Sequence, residues 1–570
     1  MTVLDSRRLT GPTLVLDRPG AVLDVQLEEP ELGRAIAAWR RVARRLLDAV
    51  GWTGEVLGVR RFRGGVSLAL SAPVDVLYAA TELNERAWEA ALVEAGGGEP
   101  VDLGKSAAVF RQQIAAEGNP PLVALHTAAR ERGLTFLSDE DGVSVGSGTG
   151  VLVWPPGALP GPDQVDWGRV HDVPIVLVTG SNGKTTVVRL LAAMARAAGR
   201  IPGITSTDGV VVAGTTLATG DFSGPSGTRM LLRHRDVELA ILETARGGLL
   251  RRGLTVERAR AAVVTNVADD HLGEFGVDDL QGLAATKLLV SRAVEADGAV
   301  VLNADDALLR AGAREIQSPV AWFSLNPENP EVLDANGNAP RAVLEQGSLV
   351  LREGGSRTVV VSVEYLPIAM GGAARHNIAN ALAAMAAASL LRITPSEMRQ
   401  ALRTFGVSGA DNPGRGAVLE IGGVRVIVDF AHNPHGMAAL IEASRTQAGA
   451  RRLLLVGQAG DRGDEAIRDL ARAAMAFRPD RVVVKELDAY LRGRQPGEVP
   501  ALLADEFSRL GMPASAISSP GSELAAVRDA LAWARPGDLL LLTVHQDLPA
   551  VLALFEALRT ANWRAGNPLP

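Results

Sequence analysis

A glycine-rich loop between an apolar run and a helical pattern constrains the fold of this chain more than any other segment. The run Ile175–Val178 leads into TGSNGKTT at residues 179–186, and a helical pattern covers Val187–Ala198. In a strand–loop–helix unit, backbone N–H groups can hold phosphates, a Lys can neutralise them and a Thr hydroxyl can bind Mg²⁺. The common P-loop has a Gly where this chain has Val178, so the loop is a shortened relative. We predict an ATP site here, and the alternative is a tight turn without a ligand.

From Pro174 onward, apolar segments alternate with helical patterns. The first set comprises PIVLVTG, LAILETA, AAVVTNVA and GAVVLNADD. Such alternation predicts a parallel sheet covered by helices, with ligands bound at the carboxyl ends of the strands. After a break at Val407–Arg415, the segments VRVIVDFAH, RRLLLVGQAGD, DRVVVKELD and GDLLLLTVHQD predict a second open α/β domain.

The amino-terminal part of the chain has the pattern of a small α/β module. We predict a helix at Leu32–Val50 and strands at Leu14–Leu16, Val22–Leu27 and Arg60–Leu70. Clustered Pro and Gly predict a linker at residues 153–168.

A chain of 570 residues is too long for one core, so several domains are expected. The predicted fold class is α/β. The expected domains are a small amino-terminal α/β domain at 1–165, a central P-loop parallel-sheet ATPase domain at 166–407, and a carboxy-terminal open α/β, Rossmann-like domain at 408–570.

The composition excludes several classes of protein. With 47% apolar and 22% charged residues, the chain should fold throughout. A formal charge of -7 offers no bulk attraction for nucleic acid or an anionic membrane, so neither is expected as a partner. There is no Cys, which excludes disulfides and thiolate metal sites. The start MTVLDSRRLTGP lacks an apolar leader and no run is long enough to span a membrane, so we expect a cytoplasmic protein.

Two later strand ends carry side chains suited to a metal–nucleotide site. Glu243 ends a buried strand before a glycine-rich turn, and His271 follows the strand that ends in NVADD. Taken singly, each residue has an equal alternative: Glu243 as a helix cap and His271 as a buried, satisfied histidine. Because both lie at the edge where a parallel sheet binds ligands, the carboxylate and the imidazole are candidate Mg²⁺ ligands.

These motifs together resemble the Mur ligase family. The set is TGSNGKTT, LETARGG, NVADDHLG, RHNIAN and VDFAHNP, in the family's order over residues 170–565. Within the family, TSTDGVVVAG, GDFSGPSG, LETARGGLLRRGL, DFAHNPHG and GDRGDE are most similar to the Mur-ligase-like portion of cyanophycin synthetases. The amino-terminal LTGPTLVLDRPGAVLDVQL resembles the start of those enzymes weakly, and no ATP-grasp segment follows it. We therefore expect one ligase active site.

The resemblance assigns roles around ATP. It implies a phosphate site formed by Gly180, Ser181, Asn182, Gly183, Lys184, Thr185 and Thr186. Thr185 and Glu243 would bind Mg²⁺, and His271 would bind a second Mg²⁺. The family carries a CO₂-carbamylated lysine shortly after the His, and Lys287 matches it. On spacing alone Lys287 would be an ordinary solvated helix residue.

The resemblance also assigns residues nearer the carboxyl terminus. Asn377 would contact the adenine side of ATP, with His376 and Asn380 as further candidates. The alternative is helix capping followed by small-residue packing in ALAAMAAAS. Arg415 would reach phosphate and Asp429 the ribose hydroxyls. The candidate substrate residues are His432, His435, Arg492, Arg494, the acidic Asp461, Asp464 and Glu465, and the loop Ser223–Gly227.

The implied function is an ATP-dependent ligase that activates a carboxylate as an acyl phosphate and joins it to an amine, releasing ADP and phosphate. The substrates would be an amino acid and a peptide or other small carboxylate, and the family's symmetric assemblies allow a homo-oligomer. Two rival classes remain: a P-loop ATPase switch acting with a protein partner, and a non-catalytic ATP-binding subunit. A third alternative keeps the chemistry but uses a folate-like or cell-wall precursor.

Overall fold

The computed structural model describes residues 2–269, 272–333, 339–447 and 449–569. Within these ranges the chain forms four β-sheets, with helices packed against their faces. The α/β fold class predicted from the sequence is confirmed. Among the described helices, none is long and apolar enough to cross a membrane.

The first sheet from the amino terminus is antiparallel and has the order β1-β2-β4-β3. Its strands are β1 (Thr2–Leu9), β2 (Gly20–Gln26), β3 (Leu57–Phe62) and β4 (Gly65–Ser71). Helices α1 (Glu29–Ala49) and α2 (Leu77–Ala95) share its core, in which Trp39 Nε1 donates to Asn84 Oδ1 at 3.0 Å. There follow α3 (Gly104–Glu117), α4 (Pro120–Glu131) and a small antiparallel sheet of β5 (Phe136–Ser138), β6 (Val143–Val145) and β7 (Leu152–Trp154).

Two predictions for this part were wrong in detail. Residues 14–16 form no strand, because Thr13 closes a turn in which its N–H donates to the Leu16 carbonyl at 2.7 Å. The single strand predicted at Arg60–Leu70 is a hairpin of β3 and β4, turning at Gly64 with φ of +77°. The polar strand β1 was missed, since its mixed sequence TVLDSRRL lacks alternation.

The central sheet has the order β11-β10-β9-β12-β8-β13-β14-β15-β16-β17-β18. Its strands are β8 (Ile175–Thr179), β9 (Pro202–Ser206), β10 (Gly209–Val212), β11 (Thr215–Thr219), β12 (Leu239–Glu243), β13 (Ala259–Val264), β14 (Val294–Asn303), β15 (Val320–Ser324), β16 (Arg341–Glu345), β17 (Ser348–Glu353) and β18 (Ser356–Ser362). The seven strands from β9 to β16 in that order pair in parallel, as predicted. Both edges are antiparallel, which the strand–helix alternation did not predict.

The helices of the central part pack against the faces of this sheet. They are α5 (Lys184–Ala197), α6 (Pro225–Leu232), α7 (Arg246–Arg252), α8 (Leu280–Leu288), α9 (Ala307–Ala313), α10 (Pro330–Leu333), α11 (Arg375–Leu390) and α12 (Pro395–Thr404). The alanine-rich α11 is buried along most of its length against α5 and the sheet, because small side chains allow close approach.

A six-stranded sheet of order β19-β20-β24-β21-β22-β23 completes the fold, parallel except for edge strand β19. Its strands are β19 (Ala417–Ile421), β20 (Val424–Asp429), β21 (Arg452–Val456), β22 (Arg481–Lys485), β23 (Ile517–Gly521) and β24 (Leu539–Thr543). Its helices are α13 (Pro434–Ser444), α14 (Asp464–Ala474), α15 (Glu498–Arg509), α16 (Glu523–Trp533) and α17 (Leu548–Thr560). The boundaries at 165/166 and 407/408 stay predictions.

Candidate active site

The glycine loop joins β8 to the amino-terminal end of α5, as the sequence predicted. Gly180 has φ of +147°, and a Cβ there would lie 1.8 Å from Thr265 Oγ1. Gly183 precedes α5 with φ of +86°, and its Cβ would lie 2.2 Å from Asn380 Oδ1. Only glycine fits either position without a shift of its neighbour. The loop therefore places backbone without bulky side chains at the start of α5, and the amino terminus of a helix is a favourable position for an anion.

The end of β13 fixes the loop, and the sequence did not reveal this. Ser181 N–H donates to the Asn266 carbonyl at 2.9 Å, and Asn182 N–H donates to Asn266 Oδ1 at 3.0 Å. Thr265 Oγ1 donates to the Asn182 carbonyl at 2.6 Å. Since these two loop N–H groups are used internally, phosphate would be held by the N–H groups of the first turn of α5.

Thr185 and Glu243 form the hydrogen-bonded pair expected of a metal–nucleotide site. Strand β12 lies beside β8 and delivers Glu243, whose side chain is 1% exposed. Thr185 Oγ1 donates to Glu243 Oε2 at 2.8 Å. Burial raises the pKa of Glu243, and the Lys184 ammonium opposes that shift.

The second oxygen of Glu243 makes the site fit a cation. Among the described residues, Glu243 Oε1 is buried and has no hydrogen-bond partner. A buried carboxylate oxygen without a partner is costly, so a bound group should satisfy it. Carboxylate and hydroxyl oxygens suit Mg²⁺, and Thr185 and Glu243 supply both.

The predicted second metal ligand cannot be placed. His271 lies outside the described residues. Within the described ranges, no group of three or more His, Cys, Asp or Glu side chains could hold a metal. Of the three predicted Mg²⁺ ligands, the described residues include Thr185 and Glu243.

Lys287 is not the solvated residue that its spacing alone suggested. It lies near the end of α8, and its side chain is 2% exposed. A buried ammonium must be neutralised or paired. The solvated alternative for Lys287 is wrong.

Arg415 reaches the central sheet from the segment before β19. Its guanidinium donates to Thr207 Oγ1 at 3.2 Å and lies 3.7 Å from Asp208 Oδ2. Its other face covers the Phe430 ring, with the guanidinium carbon 4.0 Å from the ring centroid. Thr207 also lies 3.4 Å from Thr185 Oγ1, so Arg415 stands next to the P-loop threonine.

A second bridge joins the P-loop directly to the carboxy-terminal sheet. Asn433 Nδ2 donates to Asn182 Oδ1 at 3.1 Å, and Asn182 Nδ2 lies 3.0 Å from His435 Nδ1. Nearby, Arg189 of α5 donates to Asn412 Oδ1 at 3.1 Å. The side chain of Asn182, a residue predicted for the phosphate site, thus contacts the carboxy-terminal part of the chain.

Asp429 ends β20 beside Arg415. Its Oδ1 accepts a hydrogen bond from Ala431 N–H at 2.7 Å. Burial raises the pKa of the Asp429 carboxyl to about 6, opposed by Arg415. The adjacent His432 is fixed through its backbone carbonyl, which accepts from Gln458 Nε2 at 2.7 Å.

Asn377 does not cap its helix. Ala374 occupies the cap position of α11 and provides no side-chain cap bond. The buried Asn377 donates through Nδ2 to the Ile368 carbonyl at 3.0 Å and accepts from Asn380 Nδ2 at 3.3 Å. Burial lowers the pKa of the neighbouring His376 to about 4, so its ring is neutral.

The predicted substrate arginines have different surroundings. Arg494 donates to the Gly460 carbonyl at 2.9 Å and to the Arg462 carbonyl at 2.7 Å, and it pairs with Asp464 and Glu498. Arg492 pairs with Asp461, and its side chain is 43% exposed. The Arg492 backbone has φ of +45°, a left-handed value that a non-glycine residue adopts at a cost. Arg494 thus ties its loop together, while Arg492 faces solvent.

The loop Ser223–Gly227 lies beside the end of β12. Ser223 and Gly224 line a small cavity together with Glu243 and Thr244. Ser223 Oγ donates to Asp221 Oδ1 at 2.6 Å, which holds the loop in place. The loop is therefore close enough to Glu243 to meet a substrate there.

Comparison with known proteins agrees with this geometry. Residues 178–388 match the Mur ligase middle domain, and residues 414–543 match the Mur ligase glutamate ligase domain. Cyanophycin synthetases from Crocosphaera subtropica and from a Synechocystis species are 42% and 41% identical over 335 and 338 residues, 58% and 59% of this chain. The chain matches only 38% of the length of each of these two relatives.

More distant proteins share the fold. A UDP-N-acetylmuramate–L-alanine ligase from Rubrobacter xylanophilus is 29% identical, covering 58% of this chain and 65% of that protein. The structure of Escherichia coli FolC with DHPP and ADP superposes with a TM-score of 0.52 at 20% identity, covering 68% of this chain and 89% of that one. With its two matched domains together covering more than half of its length, the chain belongs to the Mur ligase family.

Proposed function

We propose that the chain is an ATP-dependent ligase that joins a carboxylate to an amine through an acyl phosphate. Its main support is the Thr185–Glu243 pair beside the glycine loop, with Glu243 Oε1 buried and unsatisfied among the described residues. A carboxylate oxygen attacks the γ-phosphorus, the bond to the bridging oxygen breaks and ADP leaves. The amine then attacks the acyl carbon, loses a proton and displaces phosphate.

The chain's own groups would hold the nucleotide at the start of α5. The N–H groups of Gly183–Thr186 and the Lys184 ammonium would bind the phosphates. Thr185 and Glu243 would hold Mg²⁺, which when bound neutralises phosphate charge during phosphoryl transfer. Asn377 would contact adenine, Arg415 phosphate and Asp429 the ribose hydroxyls.

Closure would protect the intermediate. The Asn433–Asn182 bond and the Arg415–Thr207 bond bring the carboxy-terminal sheet onto the P-loop. An acyl phosphate is hydrolysed by water, so an active site that closes before chemistry preserves it. We infer that these contacts serve that step.

We further propose that Lys287 is carbamylated and that His271 binds a second Mg²⁺. The burial of Lys287 supports the first idea, because a carbamate is formed from the neutral amine and yields an anionic oxygen ligand. The substrates would be an amino acid and a peptide or other small carboxylate, with His432 and Arg492 at their site. A homo-oligomer and the domain division at 165/166 and 407/408 belong to the same proposal.

The ATP affinity should depend on the charge of Asp429. Its pKa of about 6 means that the carboxylate becomes protonated as pH falls below that value, which removes acceptor capacity for ribose hydroxyls. We expect the KM for ATP to rise about tenfold between pH 7 and pH 5. The check is KM against pH for the wild type and for Asp429→Asn.

Protonation of ATP itself affects the wild type and Asp429→Asn equally. The difference between their pH profiles therefore reports the titration of the Asp429 side chain. Asp429→Asn should have a high KM that varies less with pH than that of the wild type. Parallel pH profiles for the two proteins would remove Asp429 from the ATP site.

Arg492 should contact the substrate and not ATP. Arg492→Ala is expected to raise the KM of the amino-acid or peptide substrate about tenfold and leave the KM of ATP unchanged, as when a uniform binding contact is lost. Steady-state kinetics with each substrate varied in turn measures both constants. Arg478→Ala is the matched control, since Arg478 is also an exposed arginine with left-handed φ, +52°. A rise in both constants, or in neither, would contradict the assignment.

A further inference from the structure

A cavity of about 530 Å³ lies between the amino-terminal sheet and residues 273–278 of the central part. We call it the interface cavity. Its volume is in the range of small-molecule sites. None of the residues assigned to the ATP site lines it.

Direct bonds fix both walls of the interface cavity. Arg60 donates through its guanidinium to the Gly276 carbonyl at 2.6 Å, and Arg63 N–H donates to Asp278 Oδ2 at 3.0 Å. Thr10 N–H donates to the Arg252 carbonyl at 2.8 Å. The cavity is therefore preformed, which lowers the entropic cost of binding a ligand.

Asp24 lines the interface cavity and is almost fully buried. Its side chain is 3% exposed, and its Oδ2 pairs with Arg7 at 2.5 Å. Its Oδ1 is buried and lacks a hydrogen-bond partner within the described part of the chain. Such an oxygen is costly unless a donor reaches it, so an ammonium or amide N–H of a ligand would satisfy it.

Two guanidinium groups that line the cavity can bind the ligand's negative charge, one from the β3–β4 turn and one from α7. Arg63 and Arg251 are exposed and line the cavity. Neither side chain forms an ion pair with the described residues. The Arg251 guanidinium carbon lies 5.7 Å from the Phe275 ring centroid, an arrangement that leaves its N–H groups available to a carboxylate.

We propose that the interface cavity binds a small zwitterion, an amino acid or a dipeptide, as a site separate from the ligase centre. The ligand's amine is held by Asp24 and its carboxylate by Arg63 and Arg251. The ligand also touches the loop at Glu274, which pairs with the buried Arg246 at the start of α7.

A single engineered thiol tests this binding, because the chain has no Cys of its own. Gln26 is exposed and lines the cavity, so Gln26→Cys reports occupancy through its rate of maleimide labelling. L-alanyl-L-leucine is the probe, at about ten times its apparent Kd and without ATP. Labelling should slow about tenfold. Gln112→Cys, an exposed glutamine outside the cavity wall, is the matched control and should label at an unchanged rate.

Probes and variants that each lack one charge separate the contribution of the ligand's ammonium from that of its carboxylate. N-acetyl-L-alanyl-L-leucine lacks the ammonium, and L-alanyl-L-leucinamide lacks the carboxylate; each should protect far less than the free dipeptide. Within the Gln26→Cys protein, Asp24→Asn should abolish protection. The double variant Arg63→Gln with Arg251→Gln should also abolish protection. Because it alters only exposed side chains, it keeps the test valid if Asp24→Asn fails to fold.

The result that would overturn the proposal is labelling that the free dipeptide leaves unchanged, or that all three probes slow equally. Protection that survives the double arginine change would also overturn it. Adding Lys184→Ala to Gln26→Cys should preserve protection, because the cavity does not use the ATP site. Loss of protection there would place the dipeptide at the ligase centre, whereas a failure of ligase activity alone leaves this proposal standing.

Discussion

Lys184→Ala is expected to lower kcat about 100- to 1,000-fold, the loss typical of removing one preorganised electrostatic contact. The ammonium stands at the first residue of α5, close enough to Glu243 to oppose the rise in that carboxyl's pKa. In the structure, Lys184 Nζ donates to the Ser181 carbonyl at 3.3 Å, a weak contact whose loss should not unfold the chain. Ala is also a strong helix former, so α5 should begin as before.

The measurement is the rate of amide formation, with thermal unfolding as a check on the fold. Lys105→Ala is the matched control, since Lys105 is an exposed lysine near the start of α3. Its activity should equal that of the wild type. Wild-type activity in Lys184→Ala would mean that the phosphate site lies elsewhere.

Lys287→Ala should lose most of its activity, about 100-fold, and regain part of it with acetate or formate. A carbamate at Lys287 would be an anionic oxygen ligand, and a short carboxylate can enter the space that Ala leaves and replace it. Lys287→Arg should stay inactive with the same additives, because it retains a positive charge, cannot be carbamylated and leaves no space. The measurement is ligation rate against added carboxylate at fixed Mg²⁺ and ionic strength.

Burial makes a structural control necessary for this test. Lys287 is 2% exposed, so Ala creates a cavity that lowers stability. Lys287→Met keeps most of the side-chain volume without the amine, and it should be folded and inactive. High activity in Lys287→Met would show that the lysine acts through packing and not as a carbamate.

The sequence predicted the parts of the site that depend on local context. The glycine loop was recognisable because a strand precedes it and a helix follows, and Glu243 because it ends a neighbouring strand. Parallel strands bring their carboxyl ends to one edge of a sheet, so the proximity of the glycine loop and Glu243 could be predicted from the sequence. The Thr185–Glu243 hydrogen bond of 2.8 Å agrees with that expectation.

Long-range features could not be predicted from the sequence. The burial of Lys287 arises from the packing of α8, whose segment LQGLAATKL gives no sign of which face is covered. The bond between Asn182 and Asn433 joins residues 251 positions apart, and no local pattern encodes such a pair. Thr265 and Asn266 were missed for a similar reason: they follow a strand as ordinary polar residues, and only the sheet order places them under the loop.

The most direct test of the ligase proposal follows oxygen and phosphate together in one reaction. Purified protein, ATP and Mg²⁺ are mixed with ¹⁸O-labelled acidic peptides and amino acids, and all products are analysed by mass spectrometry. An acyl phosphate predicts equal amounts of ADP, phosphate and amide, with one ¹⁸O from the carboxylate in each phosphate released. Two results would contradict the acyl-phosphate mechanism. One is AMP and pyrophosphate as the products; the other is ATP turnover that needs no amine and leaves phosphate unlabelled.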